Sequence, residues 1–105
     1  MEIDKELRRA ERTGKVAFGS KEVLKSLKRE EAKLILLTPN CSNSVINDIK
    51  KNAKINETQI HNYKGTSEDL GLAFGKPFLV SAAAIIDSGN SQILRIGGVT
   101  SENQT

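Results

Sequence analysis

The chain has 105 residues, room for one domain around a single core, with 37% hydrophobic and 28% charged residues. No apolar run approaches the ~20 residues of a membrane helix, the charged start Met1-Glu2-Ile3-Asp4-Lys5 does not read as a signal peptide, and one cysteine leaves no disulfide framework. The net charge of +3 divides into +5 over residues 1–54 and −2 over residues 55–105, so a polyanionic partner fits the basic half, unless those charges only solvate helices.

Ile3, Leu7 and Ala10 recur at helical spacing among charged residues and predict a helix over Ile3–Arg12, stopped by a C-terminal Gly14. Lys15–Phe18 is a short strand. After Gly19 and a capping Ser20 the chain turns helical again. Val23, Leu24 and Leu27 share one face, and Lys21, Lys25, Lys28 and Arg29 form a basic stripe on another. Leu34-Ile35-Leu36-Leu37 has the length and continuity of a strand buried on both faces.

Pro39-Asn40-Cys41-Ser42-Asn43 is loop chemistry, with Ser42 or Asn43 able to cap the next helix. That helix gathers Val45, Ile46, Ile49 and Ala53 on one face, opposite Lys50, Lys51 and Lys54. A weaker strand follows around Gln59–Tyr63. Thr66-Ser67-Glu68-Asp69 has capping-box spacing for a short helix running to Phe74, closed by Gly75-Lys76-Pro77. Phe78–Ile86 reads as the last long strand, Asp87-Ser88-Gly89-Asn90 as a turn, and Gln92–Ile96 as a returning hairpin strand. Residues 1–98 form the domain, and 99–105 a polar, disordered tail. Alternating helices and strands predict an α/β fold, a three-layer α/β/α sandwich.

Lys21 stands where a helix N-terminus, with its roughly half positive charge, disfavours a cation by about 0.3–1 kcal/mol. An anion docked at that end removes the conflict. Open α/β sheets place ligands at strand ends. Three such ends carry unusual residues: Gly19-Ser20-Lys21, Asn40-Cys41 and Gly75-Lys76-Pro77-Phe78. Asn40 can donate and accept at a base edge, and an exposed Phe78 can stack on one. The plainer alternatives are a solvated helix face for Lys21 and Lys25, a turn residue for Asn40, and a core residue for Phe78.

Cys41, between a strand and a helix, is placed as thiol-dependent phosphoryl-transfer enzymes place a nucleophile. A phosphatase loop of that type needs an arginine six residues on, where Asn47 stands. His61 is the sole histidine and reads as a structural or surface residue. Neither GxxxxGK[ST] nor GxGxxG occurs.

With these elements placed, the chain resembles the small kink-turn RNA-binding family of ribosomal proteins. Gly14-Lys15-Val16-Ala17-Phe18-Gly19-Ser20-Lys21, Ala32-Lys33-Leu34-Ile35-Leu36-Leu37 and Tyr63-Lys64-Gly65-Thr66-Ser67-Glu68-Asp69-Leu70-Gly71 carry the resemblance, supported by Gly75-Lys76-Pro77-Phe78-Leu79-Val80. It spans Ile3–Gly97 and implies an α/β/α sandwich around a mixed four-stranded sheet. Asn40 and the Gly65-Thr66-Ser67 turn favour the large-subunit branch of archaeal and eukaryotic ribosomes over L-seven-A-e, which usually has acidic residues where Asn40 stands.

The activity implied is non-catalytic and cofactor-free: gripping a sharply bent internal loop of ribosomal RNA. The implied setting is the cytoplasmic ribosome, beside other large-subunit proteins and away from membranes, with the free protein a monomer. By position, Gly19 and Ser20 let the backbone approach RNA, and Lys21 and Lys25 meet phosphates. Glu22 lies at the base-contacting helix start, Asn40 meets a bulged purine, and Phe78 and Val80 form the apolar part of the contact. Cys41-Ser42-Asn43-Ser44 departs from the pattern, being neutral where the ribosomal subgroup often carries charge. A guide-RNA ribonucleoprotein core protein of the same family is the alternative binding role, and a Cys41-dependent enzyme the rival from another class.

Overall fold

In the computed structural model, residues 2–95 are described. The apolar periodicities become, in chain order, α1 (Ile3–Thr13), β1 (Lys15–Phe18), α2 (Ser20–Lys28), β2 (Leu34–Leu37), α3 (Asn43–Ile55), β3 (Gln59–Asn62), α4 (Ser67–Ala73) and β4 (Ala82–Asp87). The four strands form one sheet in the order β1-β4-β2-β3. β4 pairs antiparallel with both β1 and β2, while β2 and β3 run parallel. The sheet is therefore mixed.

Side chains alternate across a strand, so each face of the sheet gathers its own core. Leu34, Leu36, Ala83 and Ile85 pack with Leu7 and Ala10 of α1 and Leu70, Ala73 and Phe74 of and beyond α4. Ile35, Leu37, Ala82 and Ala84 pack with Val23 and Leu27 of α2 and Ile49 and Ala53 of α3. Helices thus cover both faces, and the expected α/β/α sandwich is the fold. It also explains why β2 is apolar throughout: all four of its residues are buried.

Gly14 stops α1 as the sequence suggests, its N–H closing the helix onto the Ala10 carbonyl without a left-handed conformation (φ −127°, ψ −141°), while three other local expectations are corrected. Its missing Cβ matters for another reason: a methyl there would lie 2.0 Å from the Asp87 carbonyl oxygen on the neighbouring strand. Ser20 is not the cap of α2 but its first residue, and Gly19 takes the N-cap place with no side-chain bond.

The last strand begins at Ala82, not Phe78. Residues 78–81 are diverted because the Val80 N–H donates to the Ser67 carbonyl, across to α4 rather than along the sheet. Gln92–Ile96 does not return as a strand over its described part. Both edges of β4 are already occupied, and the segment is held instead on α1. There Ser91 Oγ donates to the Glu6 carbonyl at 2.6 Å and the Gln92 N–H to Glu6 Oε1 at 2.7 Å. Ile96 and the expected tail, 99–105, lie outside the described residues.

The box at α4 forms as its spacing predicts. Thr66 Oγ1 accepts from the Asp69 N–H at 3.1 Å, and Asp69 Oδ2 accepts from the Thr66 N–H at 3.0 Å.

Glu6 is the charged group on which the end of the described chain depends. The Gln92 N–H bond, opposed by desolvation and aided by Ser91 and Arg9, holds its carboxyl below the ordinary value of 4.5. A carboxylate with a depressed folded-state pKa stabilises the fold above its unfolded pKa and loses that contribution as pH falls. Melting temperatures recorded from about pH 7 down to about pH 3 are expected to fall more steeply for the wild type than for Glu6→Gln, the two curves converging below the unfolded carboxylate pKa.

Candidate nucleic-acid interface

One end of the sheet collects the loops that the strand-end rule singled out. Their meeting point is Ser81-Ala82, where β4 begins. The Gly19 N–H donates to the Ala82 carbonyl at 2.8 Å, and the Thr38 N–H to the Ser81 carbonyl at 3.0 Å. Ser67 Oγ lies 2.7 Å from Ser81 Oγ. The β1–α2 junction, the β2–α3 loop and the start of α4 are thereby tied to one short stretch of backbone.

Asn40 sits in this cluster. Thr38 Oγ1 donates to Asn40 Oδ1 at 2.7 Å, and Ser67 Oγ donates to the same oxygen at 3.0 Å. Thr38 and Ser67 are buried, whereas Asn40 is exposed. Two buried hydroxyls therefore saturate the amide oxygen and leave its NH2 as the outward-facing group, with two donors. Thr38, Ser67 and Ser81 were not anticipated as part of the site. Their signal in the sequence was faint: a hydroxyl directly after the apolar run of β2, and a lone serine interrupting Phe78–Ile86.

Beside Asn40's cluster, α2 starts without a side-chain cap, so its first N–H groups have no intrahelical acceptor. Gly19 has φ +93° and ψ 152°, a region essentially restricted to glycine, and the space where a Cβ would project is open. Lys21, Glu22 and Lys25 are exposed on the first turns of α2. Glu22 and Lys25 also line a shallow depression of about 160 Å³ with Lys15 and Arg29. Lys28 and Arg29 are exposed and extend the stripe.

Phe78 is 50% exposed, so the core alternative does not hold for it, and its neighbour Leu79 is 70% exposed. Val80 differs. It is 1% exposed and packs in the core under α4, so its side chain supports the loop from below instead of facing a ligand. The structure thus brings Gly19, Ser20, Asn40 and the Phe78 loop to one end, with Lys21, Glu22 and Lys25 on the adjoining helix, and withdraws Val80.

A groove of about 1180 Å³ between α1, α4 and β3 is lined by none of these residues. It holds His61, whose burial, with nearby Lys64, keeps the imidazole below its ordinary pKa. It also holds Tyr63, whose hydroxyl donates to Asp4 at 2.7 Å and is pushed up by burial and by that carboxylate. Cys41 packs at the margin of the α2–α3 core, and burial pushes its thiol up against a smaller opposing pull from the Ser42 N–H. A thiol held in its neutral form is a poor nucleophile.

The family model of the "Ribosomal protein L7Ae/L30e/S12e/Gadd45 family" matches residues 1–95. The chain belongs to this family. Among its relatives is the "Large ribosomal subunit protein eL30" of Methanococcus vannielii, 41% identical over 96 residues that cover 91% of each chain. The protein of the same name from Methanothermobacter thermautotrophicus is 41% identical, covering 93% of this chain and 100% of that one. The one from Saccharolobus solfataricus is 38% identical over 87% and 84%. Similarity at this level over nearly whole chains places the present one with the L30e members of the family. A solved Bacillus halodurans structure, titled as a protein with unknown function, shares the fold, with a TM-score of 0.77, 18% identity, and coverage of 90% and 93%.

Two substitutions test the geometry without any ligand. Ser67→Ala removes a buried hydroxyl from Asn40 and Ser81 and is expected to cost about 1–3 kcal/mol in chemical denaturation. Gly19→Ala, sterically free but conformationally strained, is expected to cost about 1–3 kcal/mol.

Proposed function

We propose that this protein is a structural component of the large ribosomal subunit that binds and stabilises a kink-turn of ribosomal RNA, without catalysis. The observation that carries the reading is the state of Asn40. With its amide oxygen committed to Thr38 and Ser67, the exposed Asn40 has two N–H donors left for a ligand. Purine edges present the matching acceptors, N7 and, in guanine, O6. A duplex hides or crowds such edges, whereas a sharply bent internal loop exposes them on unstacked bases.

The neighbouring features suit the rest of such a loop. The open α2 N-terminus with Lys21, and Lys25 one turn on, provides phosphate contacts. Gly19 and Ser20 let a strand approach the backbone closely, and Glu22 offers an acceptor that Asn40 does not. Phe78 and Leu79 form an apolar surface on which a base can rest. The ribosomal setting follows from relatives bearing large-subunit names, which favours it over a guide-RNA particle. The same reading takes the protein to be cytoplasmic, beside other large-subunit proteins, and a monomer when free.

Binding to a synthetic kink-turn RNA, titrated at several salt concentrations, tests this. Lys21→Ala is expected to weaken binding and reduce the salt slope by about one, the loss of one phosphate contact. Asn40→Ala removes the donors without adding charge. It is expected to cost about 1–3 kcal/mol for the kink-turn while leaving binding to a fully paired stem unchanged. Unchanged kink-turn affinity in both variants overturns the proposal.

A further inference from the structure

The loop Gly75-Lys76-Pro77-Phe78 carries a lysine next to the proposed RNA contact, and its charge alone would make it another phosphate clamp. The geometry points elsewhere. Lys76 Nζ lies 2.7 Å from Glu11 Oε1 on α1, with both side chains largely shielded (29% and 24% exposed). The same ammonium stands 5.5 Å from the centre of the Phe18 ring. Phe18 is the last residue of β1, immediately before Gly19. Its ring meets Phe74 at 5.1 Å and Phe78 at 5.9 Å, both edge to face.

These contacts form one chain: Glu11 to Lys76, Lys76 to Phe18, and Phe18 to Phe78. It joins α1 to the β1–α2 junction and to the apolar loop, which are two separate parts of the proposed site. The loop's other ties are backbone bonds to α4, from the Gly75 N–H to Leu72, the Lys76 N–H to Gly71 and the Val80 N–H to Ser67. None of those constrains the half-exposed Phe78 ring. Its contact with Phe18 does, and Lys76 stands over the Phe18 ring. An edge-to-face aromatic pair and a shielded cation over a ring each have a preferred geometry, so the chain sets the direction in which Phe78 projects.

We infer that Glu11, Lys76 and Phe18 are positioning residues for RNA binding: they orient Phe78 toward the RNA, and Lys76 is not a phosphate contact. The inference rests on the kink-turn reading of the preceding section. It makes a prediction opposite in sign to simple electrostatics. Removing an acidic residue from an RNA-binding protein ordinarily raises its affinity. Here the loss of Glu11 lowers it.

The experiment titrates the full-length chain with a synthetic RNA containing a kinked internal loop, and with the same stem fully paired. Glu11→Gln is expected to lower affinity for the kinked loop by roughly threefold to tenfold, the scale of one ion pair and one cation–ring contact. Affinity for the paired stem is expected not to fall with it, and the salt slope is expected to stay as in the wild type. Lys76→Met is expected to do the same, and the double variant to be no worse than the poorer single one, since both break one chain. Lys76→Arg, which keeps both partners, is expected to bind like the wild type even if Lys76→Met loses stability.

Unchanged or higher affinity in Glu11→Gln overturns the inference. So does a salt slope reduced by about one in Lys76→Met, which identifies a phosphate contact. A wild type that does not prefer the kinked loop overturns the function proposed above. A wild type that prefers it, with variants indistinguishable from it, overturns only the positioning role.

Discussion

The start of β4 is the constraint on which the rest of the site depends. A strand that is central, antiparallel to both neighbours and covered on both faces must enter the core at once, and Ser81-Ala82 is where it does so. Backbone polar groups at such an entry cannot be left unpaired. The Gly19 and Thr38 N–H groups satisfy its carbonyls, and the Ser67 hydroxyl at the start of α4 bonds the Ser81 side chain. The need to satisfy one buried strand entry is therefore also what brings those loops together. The proposed binding surface, made of remote segments, comes from ordinary hydrogen-bond bookkeeping.

That arrangement divides the labour among side chains. Buried hydroxyls do not reach a ligand, yet they decide which way Asn40 presents its amide, because an oxygen already accepting two bonds leaves only donors outward. Phe18 is likewise partly withdrawn beneath Phe78 and Lys76. The surface residues supply charge and apolar area, and the residues behind them supply direction. Charge tolerates imprecise placement because Coulomb forces fall off slowly, whereas a donor pair or a ring contact does not. This is why the basic stripe of α2 stands on a plain helix face while Asn40 and Phe78 are braced.

Much of this was legible in the chain. The apolar spacing of Val23, Leu24 and Leu27 located α2 and its basic stripe, and the unbroken Leu34–Leu37 run marked a strand covered on both faces. The Thr66–Asp69 spacing foretold its capping box, because a box is closed by residues three apart. The misreadings lie where a distant partner decides. Phe78–Ile86 is apolar enough for one strand, but the bond from Val80 to Ser67 delays the strand to Ala82. Gln92 could have paired as a hairpin, but β4 had no free edge and Glu6 supplied another acceptor.

By itself, then, the sequence determined the elements, the two apolar faces and the basic half, because periodicity and charge are properties of neighbouring residues. It also exposed Lys21 as a cation at a helix start, and carried enough of the family's order and spacing to be recognised. Only the tertiary structure decided which hydroxyls saturate Asn40, that Val80 turns inward while Phe78 does not, and that Lys76 is held by Glu11 and Phe18. Each of those depends on groups far apart in the chain, whose meeting is set by packing around one buried strand and by the need of every buried polar group for a partner.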